Sequence, residues 1–345
     1  MDRCLAGDVG GTNARYALVE RDPVSQTYKV SQTRILASAD YDSVEQSLDA
    51  YLEDIEGPRP TRACLAVAGP VVSDRIKLTN LRWEFSFREL KHRFDFDELK
   101  LVNDFAAFLA GVTVLNSDDL RQVKSGVQCN DSTIAAIGPG TGLGIASMIR
   151  GGDGYYLMAG EGGHATFAPG NHQELELTRV LMKRFGRVSL EQVLSGPGLA
   201  NLYEALCAIE DRTASPWTPE QISAMGLSGE DPVCEEALHV FCRILGGVAG
   251  DLALTAGARG GIYIGGGVVR KFETVLMNGE FAHRFADKGV MSDYVARIPV
   301  FFVHGEHCAL LGGAVLLHTG RLQRPGVDRC KSPVQAFELT ETALE

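Results

Sequence analysis

A stretch near the N-terminus combines one acid, paired glycines and two neutral hydrogen-bond donors. It follows the apolar residues 4–6 and consists of Gly7, Asp8, Val9, Gly10, Gly11, Thr12 and Asn13. Adjacent glycines leave backbone N–H groups uncovered, so a phosphate can approach them closely. Asp8 ends the first apolar run, where it can hold a hydrated Mg²⁺ ion that faces the phosphate. The pattern predicts strand, phosphate-binding turn, strand; an ordinary β-hairpin with a glycine turn is the alternative.

Two further glycine-rich turns follow apolar runs. The second turn, at 138–144, stands between the apolar residues 134–137 and 145–149, and the third, at 265–267, follows the apolar residues 262–264. Neither turn has the Gly-Lys-Ser/Thr of a Walker A loop, and neither matches the dinucleotide fingerprint that opens a helix. Three such turns indicate two related halves that hold one polyphosphate between them.

An acid stands at the end of another predicted strand. The strand at 99–102 runs into Asn103, Asp104 and Phe105, and an apolar helix begins at once. Ligands of open α/β sheets bind in the crevice beyond the carboxyl ends of the strands. This position makes Asp104 a candidate catalytic residue, and the alternative is that it only caps the following helix.

Two more acids and a histidine lie in segments that can reach a ligand. Glu161 and His164 belong to the loop 160–164, where glycines on both sides of Glu161 expose it. A surface turn with incidental polar groups is the alternative for this loop. Glu191 lies in the segment 189–192, which is predicted to open a helix, and there the helix dipole alone would favour an acid.

The predicted elements that position these residues belong to an α/β protein. Residues 1 to about 105 predict the order β-β-β-α-β-α-β, three antiparallel strands that feed into parallel ones. A second unit starts near residue 130. Its main predicted elements are strands at 134–137, 145–149, 155–158, 262–264 and 300–303, and helices at 173–185, 199–209, about 232–258 and 309–319, before a tail at 323–345.

Composition excludes several classes of protein. The net charge of −11 argues against a nucleic-acid partner. No apolar run approaches the roughly 18 residues of a membrane span, and no signal peptide is predicted. The eight cysteines are scattered without a Cys-x-x-Cys pair, which favours free thiols in a reducing compartment over disulfides or zinc. We therefore expect a cytoplasmic protein without a membrane partner.

Five motifs together resemble a known family. They are Gly-Asp-Val-Gly-Gly-Thr-Asn-Ala-Arg (7–15), Val-Asn-Asp-Phe (102–105), Gly-x-Gly-Thr-Gly-Leu-Gly (138–144), Gly-Glu-Gly-Gly-His (160–164) and Glu-x-Val-Leu-Ser-Gly-Pro-Gly-Leu (191–199). In this order they resemble the bacterial-type glucokinases over roughly residues 4–320. The resemblance implies an α/β fold of two actin-like (ribonuclease H-like) ATPase domains with an interdomain cleft. The small domain would be 1–110, with a C-terminal helix at 306–322 packing back on it, and the large domain 111–305. The resemblance implies nothing about the tail.

The same resemblance implies an activity and the residues that carry it. A glucokinase transfers a phosphoryl group from ATP to the 6-hydroxyl of D-glucose, the first step of glycolysis, and Asp104 would be its catalytic base. The residues implied to bind the sugar are Asn103, Asp104, Glu161, His164 and Glu191. Those implied to bind ATP are Gly7, Asp8, Val9, Gly10, Gly11, Thr12, Asn13, Gly140, Thr141, Gly142, Gly265, Gly266 and Gly267. Asp8 would hold Mg²⁺ through water.

Some expectations separate this chain from related proteins. The repressor/kinase/open-reading-frame sugar kinases typically carry a Cys-rich zinc motif after their Glu-x-Gly-His segment. Here His164 is followed by residues 165–169 without a nearby cysteine, so we predict no structural zinc. The resemblance also implies a homodimer. Another hexose kinase, or an actin-like ATPase without a sugar substrate, remains the alternative function.

Overall fold

Strands of the described chain assemble into two large mixed sheets and one small hairpin. The computed structural model describes residues 2–69, 71, 73–78, 81–129, 131–151 and 154–318, so the tail predicted at 323–345 lies outside the described residues. The strands are β1 (Asp2–Val9), β2 (Asn13–Arg21), β3 (Tyr28–Ala37), β4 (Arg62–Val67), β5 (Arg75–Lys77), β6 (Glu84–Ser86), β7 (Glu98–Asn103), β8 (Leu120–Lys124), β9 (Ile134–Pro139), β10 (Leu143–Gly151), β11 (Gly154–Gly160), β12 (Ile262–Ile264) and β13 (Val300–Val303).

Helices pack against both large sheets and between them. They are α1 (Val44–Glu53), α2 (Phe87–Arg93), α3 (Asp104–Val112), α4 (His172–Phe185), α5 (Gly196–Ile209), α6 (Pro219–Ser228), α7 (Pro232–Ala256), α8 (Gly267–Arg270), α9 (Glu273–Leu276), α10 (Glu280–Ala286), α11 (Ser292–Ala296) and α12 (Cys308–His318). Short 3-10 turns cover Ser38–Asp40, Ser117–Asp119, Gly162–His164 and Gly289–Met291.

The two large sheets share one strand pattern. The first has the order β3-β2-β1-β4-β7, and the second has the order β11-β10-β9-β12-β13-β8. In each sheet, the strand that leads into the glycine turn, β1 or β9, pairs antiparallel with one neighbour and parallel with the other. The second sheet adds the antiparallel strand β8 at its edge. This repetition confirms the prediction of two related halves.

The first sheet has a core of its own. Helix α1 begins at the cap residue Ser43, whose Oγ accepts a hydrogen bond from the Gln46 N–H at 3.3 Å. The helix buries Tyr51, whose ring lies 5.4 Å from that of Tyr16 on β2. The Tyr16 hydroxyl also forms a 2.8 Å hydrogen bond with Ser47 on α1, so the polar end of this buried ring has a partner.

Helix α7 forms the centre of the second unit. It is long and apolar enough for a membrane span by length and composition, but 72% of its most apolar window is buried inside the protein. Small residues let α10 approach it: a Cβ atom at Gly246 would lie 2.4 Å from the Phe281 carbonyl oxygen, and one at Gly250 would lie 2.5 Å from that of Phe285. Gly246 and Gly250 therefore serve the close packing of α7 against α10.

Helices α3 and α12 cross each other between the sheets. Their backbones touch, because a Cβ atom at Gly312 would lie 1.7 Å from the Ala107 carbonyl oxygen and one at Gly111 would lie 1.8 Å from that of Cys308. Helix α12 follows the second sheet in the chain but packs on the first, where Lys100 Nζ donates to the Leu316 carbonyl at 2.7 Å. The apolar helix predicted at 309–319 is thus confirmed for its described residues.

One local prediction was wrong. Residues 189–192 do not open a helix; they form a turn, and the helix α5 begins at Gly196. This helix starts three residues before the predicted position 199, and Ser195 Oγ caps it by accepting a hydrogen bond from the Gly198 N–H at 2.9 Å. The reason is tertiary: Ser189 forms a β-bridge with Thr166, which holds the segment in an extended entry.

Candidate active site

Asp104 lies where β7 ends and α3 begins, and its side chain is partly buried. The helix cap is its neighbour: Asn103 Oδ1 accepts hydrogen bonds from the backbone N–H groups of Phe105 at 3.0 Å and Ala106 at 3.1 Å. Asp104 Oδ1 accepts a second bond from the Phe105 N–H at 2.8 Å. Since Asn103 fills the capping role with Oδ1, its Nδ2 hydrogens are the donors that it can offer to a ligand.

The Asp104 carboxyl group has a raised pKa. Burial raises it to about 7, and the nearby negative charges of Asp8 and Glu161 act in the same direction, against the hydrogen bond from Phe105. Asp8 on β1 and Glu161 in the loop after β11 are therefore both within electrostatic reach of Asp104. A carboxylate with a pKa near neutrality suits a general base, because it is both basic and substantially ionised at working pH.

Asp8 lies one residue before the C-terminal end of β1, 28 % exposed. Burial raises the pKa of its carboxyl group, and the positive charge of Arg15 only partly opposes this. Arg15 Nη1 lies 3.9 Å from Asp8 Oδ2 and donates to the Glu306 carbonyl at 3.2 Å, just ahead of α12. A hard oxygen ligand whose charge is incompletely compensated fits Mg²⁺.

The first two glycine turns have the geometry that the sequence predicts. In the first, the Gly10 N–H donates to the Asn13 carbonyl at 2.9 Å, and in the second the Gly140 N–H donates to the Gly142 carbonyl at 2.8 Å. The side chains of Thr12, Asn13 and Thr141 are exposed. The turns belong to different sheets, and among the described residues no hydrogen bond joins them. Each is thus open to a ligand.

The third glycine turn differs from the other two, because it leads from β12 into the short helix α8 instead of a second strand. Gly266 has a φ of +92°, and a Cβ atom there would lie 2.1 Å from the Pro139 carbonyl oxygen, so glycine is required on both counts. Gly265 donates its N–H to the Ile137 carbonyl at 3.0 Å. The third turn therefore packs directly against the strand that leads into the second.

The loop with Glu161 and His164 is joined to Glu191. The two loop side chains are exposed, while the His164 N–H donates to the Glu161 carbonyl at 3.0 Å and closes a 3-10 turn. The Glu191 N–H donates to the Gly163 carbonyl at 2.8 Å. Glu191 Oε2 in turn accepts from the Leu143 N–H at 2.9 Å. The helix-dipole explanation for Glu191 fails, because this residue lies in a turn that connects the loop to the second glycine turn.

Sequence reasoning missed three contributors to this region. Arg15 was visible in the first motif but had no assigned role, although it is the cation beside Asp8. The backbone of Leu143 anchors Glu191, and a backbone contact of this kind leaves no signal in side-chain types. Phe105 packs on the glycines at both ends of the second turn, Gly138 and Gly144. The outer glycines of the motif 138–144 had no assigned role of their own, and they were the feature of the sequence that could have indicated this contact.

Within the described residues, no group of three or more His, Cys, Asp and Glu side chains is arranged to hold a metal ion. His304, which follows the last described strand, pairs with Glu273: its Nε2 lies 3.1 Å from Glu273 Oε1. The candidate Mg²⁺ ligand is thus a lone carboxylate, Asp8, which is the arrangement expected where water and phosphate oxygens complete the coordination.

The chain is similar to proteins of known function along most of its length. The sequence profile of the Glucokinase family matches residues 5–320. The glucokinase of Saccharophagus degradans is 39% identical over 313 residues, which are 91% of this chain and 97% of that protein. The crystal structure of a glucokinase from an Antarctic psychrotroph superposes with a TM-score of 0.83 at 40% identity, covering 92% of this chain and 99% of that one.

A more distant structure extends the similarity of fold. A glucokinase of the ROK family from Streptomyces griseus, crystallised with glucose and AMPPNP, has a TM-score of 0.64 at 19% identity and covers 91% of this chain and 99% of that one. The predicted fold class is confirmed: fold and site define a sugar kinase with the actin-like ATPase fold. The chain belongs to the glucokinase family. It is a kinase that phosphorylates glucose.

Proposed function

We propose that the chain uses ATP and Mg²⁺ to phosphorylate the 6-hydroxyl of D-glucose, with Asp104 as the catalytic base. One observation carries the role of Asp104: its partly buried carboxyl group lies where β7 ends, next to the cap residue Asn103, and burial with the nearby charges of Asp8 and Glu161 raises its pKa to about 7. A sugar hydroxyl is a poor nucleophile at neutral pH, and phosphoryl transfer relies on positioning and on neutralising charge. Asp104 orients the 6-hydroxyl and takes its proton as the bond from the sugar oxygen to the γ-phosphorus forms and the bond from that phosphorus to the bridging oxygen of ADP breaks.

The sugar is held by Asn103, Glu161, His164 and Glu191 through hydrogen bonds to its other hydroxyls. The Nδ2 donors of Asn103 and the exposed side chains of Glu161 and His164 support this assignment. Glu191 uses Oε2 for Leu143, which leaves Oε1 for a sugar hydroxyl. Acids at this site repel anionic substrates such as carboxylates or sugar phosphates, so they favour a neutral polyol.

The nucleotide is held between the glycine turns. The β- and γ-phosphates are contacted from one side by Gly7, Asp8, Val9, Gly10, Gly11, Thr12 and Asn13. From the other side they are contacted by Gly140, Thr141 and Gly142. The adenosine lies near Gly265, Gly266 and Gly267. The exposed side chains of Thr12, Asn13 and Thr141 at the two open turns support this assignment. When bound at Asp8 through water, Mg²⁺ neutralises phosphate charge.

The assignment also proposes how the chain is organised. The small domain comprises 1–110 together with the C-terminal segment 306–322, which includes α12, and the large domain comprises 111–305; separate cores under the two large sheets support this division. Closure of these domains around both substrates excludes water, which would otherwise accept the phosphoryl group. We also propose a cytoplasmic homodimer, on the basis of family membership alone.

A coupled assay of hexoses against ATP at one enzyme concentration tests the proposed function. We expect kcat/KM for glucose to exceed that for mannose, fructose and allose, and we expect ADP release to require sugar. Asp104→Asn should keep glucose binding within a few-fold and lower kcat by about 10²- to 10⁴-fold, the usual contribution of a general base. Near-normal turnover in Asp104→Asn would remove Asp104 from the mechanism, and sugar-independent ADP release would favour an ATPase.

A further inference from the structure

A slot without side chains crosses the hairpin β9–β10. Gly138 and Gly144 are directly paired across the two strands, one residue pair away from the turn 140–142. Cβ atoms at both positions would collide with the same ring: at Gly144 the nearest Phe105 atom is 1.8 Å away, and at Gly138 it is 2.1 Å away. Since ring and backbone are in direct contact, neither glycine can be replaced without moving the ring or the hairpin.

The same residue holds the candidate base. The Phe105 N–H donates to Asp104 Oδ1 at 2.8 Å and to Asn103 Oδ1 at 3.0 Å. Phe105 is therefore fixed at two points, with its backbone on the base and its ring in the slot of the second sheet. Its helix is held in addition at Phe108, whose ring lies where a Cβ atom of Gly265 would be. The contact thus spans the two sheets at the place where the reacting groups would meet.

We propose that Phe105 is a positioning residue that sets the distance between the Asp104 carboxylate and a phosphate bound at the turn 140–142. In this assignment Gly138 and Gly144 seat the ring and do not contact phosphate, which distinguishes them from Gly140 and Gly142. The proposal rests on the proposed role of Asp104. Because the ring fills the slot, a change in either partner moves the base relative to the phosphate. The sugar keeps its contacts with Glu161, His164 and Glu191, which lie on other segments than Phe105.

We expect variants at this contact to have a lower kcat and a nearly unchanged KM. A misplacement of about 1 Å at a reacting centre can cost about 10²-fold in rate. We therefore expect Phe105→Leu and Gly144→Ala each to lower kcat by about 10- to 100-fold, with KM for glucose and for ATP within about threefold of the unmodified enzyme. Phe105→Leu replaces the ring by a smaller side chain, and Gly144→Ala pushes the ring out of the slot. The two variants therefore change the distance between the Asp104 carboxylate and the phosphate in opposite ways.

A compensating pair sharpens the test. Phe105→Ala empties the slot, and adding Gly144→Ala puts a methyl group into the vacated space, so the kcat loss of the double variant should be smaller than the product of the two single losses. Phe281→Leu is the matched control, because it makes the same substitution in a fully buried ring on α10, away from the site. Since Phe105 is only partly buried, Phe281→Leu should lower the melting temperature at least as much as Phe105→Leu does, and it should leave kcat within about twofold of the unmodified enzyme.

Three outcomes would overturn the inference: kcat within about twofold in Phe105→Leu and Gly144→Ala, multiplicative losses in the double variant, or an equal kcat loss in Phe281→Leu at matched stability. Failure of the proposed function is distinguishable, because it would appear as near-normal turnover in Asp104→Asn. Normal turnover in the Phe105 variants together with an inactive Asp104→Asn would reject only the role of Phe105.

Discussion

The Glu191 carboxylate accepts a hydrogen bond from the Leu143 backbone, with Oε2 2.9 Å from the nitrogen. Leu143 directly follows the turn 140–142, and the Gly196 N–H donates to the Gly140 carbonyl at 2.9 Å, five residues beyond Glu191. Both ends of the second glycine turn are therefore held by the segment that begins at Glu191. A residue proposed to bind sugar is thus attached to a turn proposed to bind phosphate.

From this attachment we expect Glu191→Ala to weaken both substrates. Loss of both carboxylate oxygens removes a sugar acceptor and leaves the Leu143 N–H without its partner, so KM should rise by about tenfold or more for glucose and by about threefold or more for ATP. Steady-state kinetics with each substrate varied in turn measure both values. Gln192→Ala is the control, because Gln192 Oε1 makes a bond of similar length to the Ser189 N–H in the same turn. An unchanged KM for ATP in Glu191→Ala would contradict the inference that Glu191 holds the turn 140–142.

The raised pKa of Asp104, about 7, predicts an acid limb in the pH–rate profile. A base must be ionised, so kcat/KM for glucose should fall about tenfold per pH unit below that value and level off above it. Glu161→Gln removes a negative charge that raises the pKa of Asp104, so its limb should shift to lower pH. Glu53→Gln, at an exposed acid on the end of α1, should leave the limb in place. A limb that does not move in Glu161→Gln would contradict the electrostatic contact.

Stability should report the same pKa with a definite sign. The folded-state pKa lies above the unfolded value near 4, so the folded protein retains a proton that the unfolded chain loses, and stability falls as pH rises from about 4 to about 7. Asp104→Asn removes this loss. Thermal unfolding should therefore find Asp104→Asn more stable than the unmodified enzyme at pH 8, by about 1–2 kcal/mol, and nearly equal to it at pH 4. A difference that is the same at both pH values would mean that the carboxyl group does not titrate in this range.

The exposed loop predicts a selective effect on sugar binding. Glu161→Ala and His164→Ala should each raise KM for glucose by about tenfold or more, because a site built for hydroxyls loses a buried partner once the sugar is bound. KM for ATP should stay within about threefold of the unmodified value. His172→Ala, at another exposed histidine on α4, is the control and should change neither value. If both loop variants keep their KM for glucose, the sugar binds elsewhere.

Two neighbouring glycines of α7 predict opposite effects on stability. Gly246→Ala places a methyl group 2.4 Å from the Phe281 carbonyl oxygen, so we expect a loss of about 1–3 kcal/mol in the free energy of unfolding. At Gly247 the nearest atom belongs to the Arg284 side chain, 3.6 Å away, so Gly247→Ala should gain up to about 1 kcal/mol from helix propensity. Chemical denaturation of both variants measures the difference. Equal effects at the two positions would show that α10 does not restrict this face of α7.

Much of this architecture follows from local pattern. The alternation at β3, the cap at Ser43 and the buried run at β4 identify their elements within one or two residues, since each signal lies within the element itself. The glycine turns after β1 and β9 could be predicted from local sequence in the same way. The edge strand β8, the small hairpin β5–β6 and the short helices α8 to α11 were not predicted, because their few residues carry little periodicity of their own.

The errors at the site have a common physical cause. Residues 189–192 have the composition of a helix start, but Ser189 pairs with Thr166 and Glu191 bonds to Leu143, and such long-range contacts override local propensity. Likewise, Gly138 and Gly144 look like part of a flexible turn until the ring of Phe105 is seen in the space they leave. Residue types near the chemistry were predictable, whereas the contacts that orient them were not.

The placement of α12 has a consequence for synthesis of the protein. Lys100 and Leu316 are joined by a hydrogen bond although they stand 216 positions apart, and the apolar face formed by Cys4, Ala6 and Cys64 is covered by the last described helix. A growing chain therefore exposes this apolar surface outside the ribosome until the rest of the chain, up to α12, has been translated. Nascent chains stalled before residue 308 should bind chaperones through this surface, and the chaperones should be released once α12 has emerged from the ribosome.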